Sequence, residues 1–137
     1  MFADATKRCC DDIETVKEII ERVSSRELPE GWFPWQPLNS KKSLDGVTVT
    51  GYDYPLVHWK DEHGEHGSSN IIKGEGKLPW RLDWPAKWGH NGVTCEPFGK
   101  DHGASGGSYD TGKELSVFMG HAPPLPLTYE WISLRGQ

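Results

Sequence analysis

The chain has 137 residues, a length typical of a single domain. It has 15 lysines and arginines and 20 aspartates and glutamates, giving a formal net charge of -5. A surface that neutralises phosphates would carry a positive charge. Any nucleic-acid contact must therefore be local or made by sequence outside this chain. No segment approaches the roughly 20 apolar residues of a membrane-spanning helix, and the charged N-terminus lacks the apolar centre of a signal peptide.

The first predicted element is a helix over residues 5–25. Its apolar positions recur at spacings of three and four, with charges on the other face: Ile13, Val16, Ile19, Ile20 and Val23. This pattern predicts an amphipathic helix docked on a core. Cys9 and Cys10 are expected to be packing or surface residues, because adjacent cysteines rarely bridge and the total of three cysteines is odd. Cysteines without a disulfide framework are typical of proteins in the reducing cytoplasm, which is where we expect this chain to act.

A small antiparallel sheet is predicted next. Three prolines break regular structure between residues 27 and 46. From Val47, β-branched and aromatic residues alternate with polar ones, which predicts two to four strands over residues 45–75. A sheet of this size needs a larger body to pack against.

A short helix is predicted after Gly76. Asp83 is expected to cap it, with Pro85 in its first turn. Trp80 would then precede the helix and project into a cleft. The segment GVTCEPFG, residues 92–99, is predicted to be a buried strand.

A second helix and a last strand complete the predicted elements. Residues 108–119 are predicted to be helical, with an inner face of Tyr109, Leu115, Phe118 and Met119, and a strand is predicted over residues 128–134. Strand, helix and strand form a βαβ-like unit, whose functional crevice lies at the carboxyl ends of the strands.

One group of side chains has the composition of a metal site. Three histidines lie near three carboxylates in the predicted hairpin: His58, His63 and His66 with Asp61, Glu62 and Glu65. Structural zinc sites usually include thiolates at C-x-x-C spacing, and this segment has no cysteine. The sequence therefore favours a solvated turn over a metal site.

Trp80, Trp84 and Trp88 are spaced four residues apart, so a helix would place them on one side. They could be core residues, or one indole could line a pocket. The two interrupting prolines, Pro79 and Pro85, mean that the three need not share one role.

A glycine-rich segment, EPFGKDHGASGGSYDTG, spans residues 96–112 between the predicted strand and helix. It could be a linker or a loop that offers backbone N–H groups to a phosphate, although it matches neither common nucleotide-binding fingerprint. Within it, Gly99 would let a ligand approach the backbone, Asp101 could accept both hydroxyls of a ribose, and His102 could contact a substrate carboxylate or amine.

Three segments together are similar to class I lysyl-tRNA synthetases: GKLPWRLDWPAKW, EPFGKDHGASGGSYDTG and TYEWISLRG. The resemblance is dense over residues 76–135 and looser over residues 1–75. It implies the C-terminal half of a Rossmann-type α/β catalytic domain (76–137), a small β-rich insertion (27–75) and an N-terminal amphipathic connecting helix (1–26).

The resemblance also implies a function. Enzymes of this family activate lysine with ATP, with which Mg²⁺ is expected, and transfer it to tRNA(Lys). By motif, Gly99 and Asp101 resemble ATP-binding residues, and Trp80, His102 and Tyr129 resemble lysine-binding residues. An indole and a phenol can flank the alkyl stem and ammonium of lysine.

Two family signatures, the HIGH-type and the KMSKS-type, do not occur in the sequence, and neither do cysteines in the stretch resembling the insertion, so zinc is not expected. No residue is assigned a catalytic role. We expect a partial synthetase, inactive alone, whose tRNA contacts lie mostly in other segments and which a complementing segment could complete. Two alternatives stay open: a stand-alone tryptophan-rich module that binds a small molecule or glycan, and a non-catalytic synthetase paralogue.

Overall fold

The chain is a mixture of helices and short strands in a computed structural model that describes residues 2–130. The helices are α1 (Phe2–Asp11), α2 (Ile13–Ser24), α3 (Trp80–Asn91) and α4 (Ser108–Met119). The strands are β1 (Gln36–Pro37), β2 (Thr48–Asp53), β3 (Leu56–Lys60), β4 (His66–Asn70), β5 (Gly76–Lys77), β6 (Cys95–Gly99) and β7 (Leu125–Tyr129). Within residues 2–130 these strands form three small sheets, which confirms a mixed α/β fold.

The N-terminal segment is two helices, so the prediction of one continuous helix over residues 5–25 is wrong. Asp12 separates them with non-helical backbone angles, and its carboxylate accepts a hydrogen bond from the Thr15 N–H at 3.4 Å. Aspartate is a good N-cap because its oxygen satisfies an N–H that the helix leaves free. The apolar periodicity could not reveal this break, since both helices pack on the same core.

The helices share one hydrophobic core, which explains why they pack together. Its buried members come from all four: Cys9, Val16, Ile19, Ile20, Leu82 and Leu115. Phe118 and Met119 pack against it as partly buried residues, so the inner face predicted for the helix over 108–119 is confirmed.

The antiparallel sheet predicted over residues 45–75 is present. Its order is β2-β3-β4, and all neighbours are antiparallel. Val57 and Ile71 from this region pack with Cys10 and Trp35 in a second core, so the sheet leans on α1 as expected. Strands β1 and β5 also pair, with Pro37 opposite Gly76. This pairing crosses the domain boundary predicted at residue 76. The division into 1–26, 27–75 and 76–137 stays a prediction.

The predicted βαβ-like unit is β6-α4-β7. The two strands pair in parallel, with Cys95 opposite Leu125 and Gly99 opposite Tyr129. The last strand begins at Leu125, three residues before the predicted start, and residues 131–134 of that prediction lie outside the described residues.

The strand predicted over residues 92–99 is present as β6, which begins at Cys95, but the prediction that it is buried is wrong. In β6 only Phe98 is buried, while Cys95 and Pro97 are exposed. Among residues 2–130, α3 and α4 contact β6 through Phe98, and all five residues of β7 are exposed. No helix within residues 2–130 is long and apolar enough to cross a membrane.

The three thiols should differ in reactivity. Cys9 and Cys10 are buried and Cys95 is exposed; burial raises the pKa of Cys9 to about 12 and that of Cys10 further still. Because the thiolate is the nucleophile, we expect only Cys95 to react rapidly with a disulfide reagent in the folded chain, and all three after denaturation. Rapid native reaction of more than one thiol would show that α1 is not packed as described.

Candidate functional site

The candidate site lies where β6 and β7 end side by side. Gly99 and Tyr129 are opposite each other as the last residues of the two strands. The Lys100 N–H extends the ladder by donating to the Tyr129 carbonyl at 2.9 Å, and the Lys100 ammonium lies 3.8 Å from a Glu130 carboxylate oxygen. The glycine-rich loop therefore leaves the sheet at its carboxyl edge, the usual place for ligands in parallel α/β sheets.

The loop is folded on itself rather than open like a linker. His102 N–H donates to the Gly99 carbonyl at 3.1 Å, Tyr109 N–H to the His102 carbonyl at 3.0 Å, and Gly107 N–H to the Ala104 carbonyl at 2.8 Å. The Gly106 N–H is taken by an Asp110 carboxylate oxygen at 3.0 Å. These four N–H groups bond within the loop and its helix, so they are not available to a phosphate. The loop geometry thus favours a binding wall over a phosphate cradle.

Two adjacent glycines permit this fold. Gly106 has φ +76, and a Cβ there would approach the Val23 carbonyl oxygen to 3.0 Å. A Cβ on Gly107 would lie 2.9 Å from the carbonyl oxygens of both Ala104 and His102. Backbone oxygens cannot move aside as a flexible side chain can, so these positions require glycine.

The helix beside the loop begins earlier than expected. Pro79 occupies the N-cap position and Trp80 is the first residue of α3, so the predictions that Asp83 caps the helix and that Trp80 precedes it are wrong. Asp83 instead lies in the first turn and pairs with Lys87 at 2.9 Å. Pro85 falls inside the helix, where it removes one backbone hydrogen bond while its ring is buried.

Trp80 and His102 are brought together, as the sequence motifs suggested. Their ring centroids are 6.2 Å apart, and Trp80 also stacks on Trp84 at 5.4 Å with an interplanar angle of 15°. Trp80 is 51% exposed, so one face of its indole is free for a ligand. Trp84 lies 5.7 Å from His102. These three rings, Trp80, Trp84 and His102, form what we call the aromatic wall.

The aromatic wall stands on a buried aromatic cluster. Trp84 meets Phe98 edge-on at 5.6 Å, and Phe98 stacks on Tyr109 at 4.9 Å. Trp88 contacts both Trp84 and Tyr109, and the Tyr109 hydroxyl donates to the Pro124 carbonyl at 2.7 Å. Trp84 and Trp88 are thus core residues, and only Trp80 projects outward.

Tyr129 lies apart from the aromatic wall. Paired residues of parallel strands point to the same face, and successive residues alternate; Phe98 and its partner Thr128 therefore face α3 and α4, while Tyr129 points to the other face. Tyr129 is half-exposed, and its same-face neighbours Leu125 and Leu127 are more exposed still. The described residues bring Trp80 and His102 together without Tyr129.

The two residues predicted to hold a ribose are a half-buried glycine and an exposed aspartate. A Cβ built on Gly99 would meet no atom within 4 Å, so the backbone is accessible there. Asp101 is exposed two residues later, and its carboxylate has no hydrogen bond or ion pair within residues 2–130. Free space beside an unpaired carboxylate is what recognition of a diol requires.

The histidines of the hairpin have other partners. His58 contacts Ser68 Oγ at 2.6 Å and Asp53 at 3.1 Å, and His63 lies 3.7 Å from Glu62. His66 is exposed at the start of β4. Within the described part of the chain, no three His, Cys, Asp or Glu side chains are grouped so that they could hold a metal ion.

Glu96 belongs to the site although no sequence pattern indicated it, whereas the predicted tryptophan stripe already included Trp84 as a core or pocket residue. In the structure the Trp84 Nε1–H donates to Glu96 Oε1 at 3.4 Å. The alternation of β6 could have placed Glu96 on the same face as Phe98, but nothing in the sequence indicated that α3 crosses this face.

With this geometry established, the chain can be compared with known proteins. The family described as tRNA synthetases class I (K) matches residues 1–137. The chain belongs to the class I lysine-type tRNA synthetases. It is 46% identical over its whole length to a lysine–tRNA ligase of Thermoplasma acidophilum, and 41% identical over its whole length to one of Archaeoglobus fulgidus.

The match covers only part of each relative. The chain spans 27% of the Thermoplasma acidophilum protein and 28% of the Archaeoglobus fulgidus protein. A lysine–tRNA ligase of Thermoplasma volcanium, 42% identical, is likewise covered to 28%. The chain therefore corresponds to roughly a quarter of the length of these synthetases.

Proposed function

We propose that this chain forms part of the lysine- and ATP-binding site of a lysine–tRNA ligase, which activates lysine as lysyl-adenylate and transfers it to tRNA(Lys). The observation that carries the proposal is the aromatic wall at the carboxyl edge of β6, where His102 lies 6.2 Å from a half-exposed Trp80. The names of the three relatives agree with it.

Lysine would lie against the free face of Trp80. Its alkyl stem can pack on the indole and its ammonium can interact with the ring face, while His102 faces the polar end of the substrate. Tyr129 would complete the pocket from β7 if the ligand bridges the edge of the sheet. A site that satisfies the ammonium discriminates against analogues that lack it, because its polar groups would then be unpaired.

ATP would enter beside the same edge. Gly99 leaves room above the backbone for the ribose, and the unpaired Asp101 carboxylate can accept both ribose hydroxyls. Mg²⁺ would accompany the phosphates. The contribution of this chain would be positioning of the reactants, which can supply a large share of a rate enhancement.

We extend the proposal to the fold and its setting. The β6-α4-β7 unit would be part of a Rossmann-type sheet, because isolated parallel pairs are rare and parallel sheets are covered on both faces. Further chain of the longer synthetase would cover Leu125 and Leu127, the exposed leucines of β7. Residues 27–75 would be the insertion and 1–26 the connecting helices, in a protein that acts in the cytoplasm with tRNA contacts mostly elsewhere.

Calorimetric titration of the purified chain tests the lysine site. We expect binding of lysine and of a non-hydrolysable lysyl-adenylate analogue, with the analogue tighter because it also engages Gly99 and Asp101. Norleucine, which lacks the side-chain ammonium of lysine, is the matched ligand control, and its affinity should be lower by about tenfold or more.

An oligosaccharide panel run beside it separates this function from the glycan-binding alternative. Asp101→Asn should weaken the binding of the adenylate analogue more than the binding of free lysine, since only the analogue carries a ribose. Binding to a glycan without binding to lysine or the analogue would contradict the synthetase assignment for this chain.

A further inference from the structure

The ring at the centre of the aromatic wall is Trp84. It stacks on Trp80, lies 5.7 Å from His102 and meets Phe98 edge-on. Trp80 and His102 come from different elements, the start of α3 and the loop after β6. Besides their direct contact, the two rings share Trp84 as a neighbour, so the orientation of the Trp84 indole affects where both lie.

Ring packing alone leaves the rotation of an indole weakly defined, because aromatic contacts are only moderately directional. A hydrogen bond supplies the missing direction. The Trp84 Nε1–H donates to a carboxylate oxygen of Glu96 at 3.4 Å, and Glu96 is half-buried on β6, two residues before Phe98. By contrast, the Nε1–H of the neighbouring Trp88 has no hydrogen-bond partner within residues 2–130. Of these two indoles, Trp84 is the one that belongs to the aromatic wall and has its N–H bonded.

We propose that Glu96 is a positioning residue for the lysine site, one that orients Trp84 and through it fixes Trp80 and His102 in the arrangement that accepts a primary ammonium. The inference rests on the lysine site proposed above. Locking a binding group by a second layer of hydrogen bonds reduces the ordering that a ligand must impose.

The charge of Glu96 adds to its geometric role. A carboxylate that accepts a hydrogen bond from an indole N–H makes the electrostatic potential at the ring more negative. Because Trp80 stacks on Trp84, the potential at Trp80 becomes more negative too. A cation on the free face of Trp80 is stabilised by such a potential, whereas a neutral side chain is not. Glu96 would therefore favour lysine over neutral analogues of the same length.

The test compares Glu96→Leu, which removes the acceptor, with Glu96→Gln, which keeps an acceptor and removes the charge. Glu62→Gln, in the hairpin turn far from the wall, is the matched control for the loss of one charge. The first readout is the proton–nitrogen NMR signal of the Trp84 indole and the imidazole proton signals of His102, recorded without ligand. The second is the affinity for lysine and for norleucine.

We expect Glu96→Leu to shift the Trp84 and His102 signals and to lower the affinity for lysine by about tenfold. We expect Glu96→Gln to leave the signals close to wild type and to lower the affinity for lysine by about threefold. The affinity for norleucine should change little. If circular dichroism shows that Glu96→Leu fails to fold, Glu96→Ala, which also removes the acceptor, takes its place, because Glu96→Gln is expected to leave the signals unmoved. The positioning role would be overturned if Glu96→Leu left the Trp84 and His102 signals unmoved. It would also be overturned if both variants lost the same affinity for lysine while the imidazole signals stayed unmoved. Shifted signals in a chain that does not bind lysine would support the positioning role and reject the lysine site itself.

Discussion

Replacing Trp88 with alanine is expected to lower the free energy of unfolding by about 3–5 kcal/mol. The indole is 2% exposed, and it contacts both Trp84 and Tyr109. It also presses against Gly112 of α4, where an added Cβ would lie 2.8 Å from the ring. Removing it leaves a cavity between α3 and α4 that the rigid helix pair cannot close. Urea denaturation followed by near-ultraviolet circular dichroism measures the loss.

Trp80→Ala is the matched control for that stability measurement. Its ring is 51% exposed, so its removal should cost about 1 kcal/mol or less. Comparable losses for the two tryptophans would mean that the stripe is uniformly buried or uniformly exposed, in conflict with the structure.

The same Trp80→Ala variant is expected to reduce lysine affinity by about tenfold, because it removes the surface that faces the ammonium and the alkyl stem. An interaction of a desolvated cation with an indole face contributes up to about 2 kcal/mol, and about 1.4 kcal/mol corresponds to a factor of ten. Trp80→Phe should retain part of the affinity, since a smaller ring remains. Calorimetric titration with lysine gives the comparison directly.

Ile72→Ala serves as the control for Trp80→Ala in the binding experiment. Ile72 is 57% exposed, similar to Trp80, but it follows β4, on the antiparallel sheet. It should leave lysine affinity unchanged. If Trp80→Ala also left the affinity unchanged in a chain that binds lysine, lysine would not lie against the aromatic wall.

Local patterns were enough to predict much of this fold. The periodicity of residues 108–119 gave the bounds of α4, because glycines precede and follow it and its apolar face is regular. The alternation after Val47 gave the antiparallel sheet, since period-two patterning has one structural solution. The break at Asp12 was missed because a helix N-cap inside a continuous apolar stripe changes the backbone without changing the periodicity.

The start of α3 shows a different limit. The sequence predicts a start at Asp83, because aspartate is a good N-cap residue. The structure begins the helix at Trp80, because one more turn lets Leu82 enter the core shared with α1, α2 and α4. Tertiary packing overrode the local preference.

The sequence by itself determined the family, since three motifs in order carry it, and it predicted that Trp80 and His102 belong to one site. The sequence also predicted that Trp80 projects outward. Only the tertiary structure decided that Trp84 donates a hydrogen bond to Glu96 and that Tyr129 lies on the opposite face of the β6–β7 pair. The physical reason is that these features depend on where α3 crosses the sheet. That crossing is set by contacts between residues far apart in the chain, which no local pattern encodes.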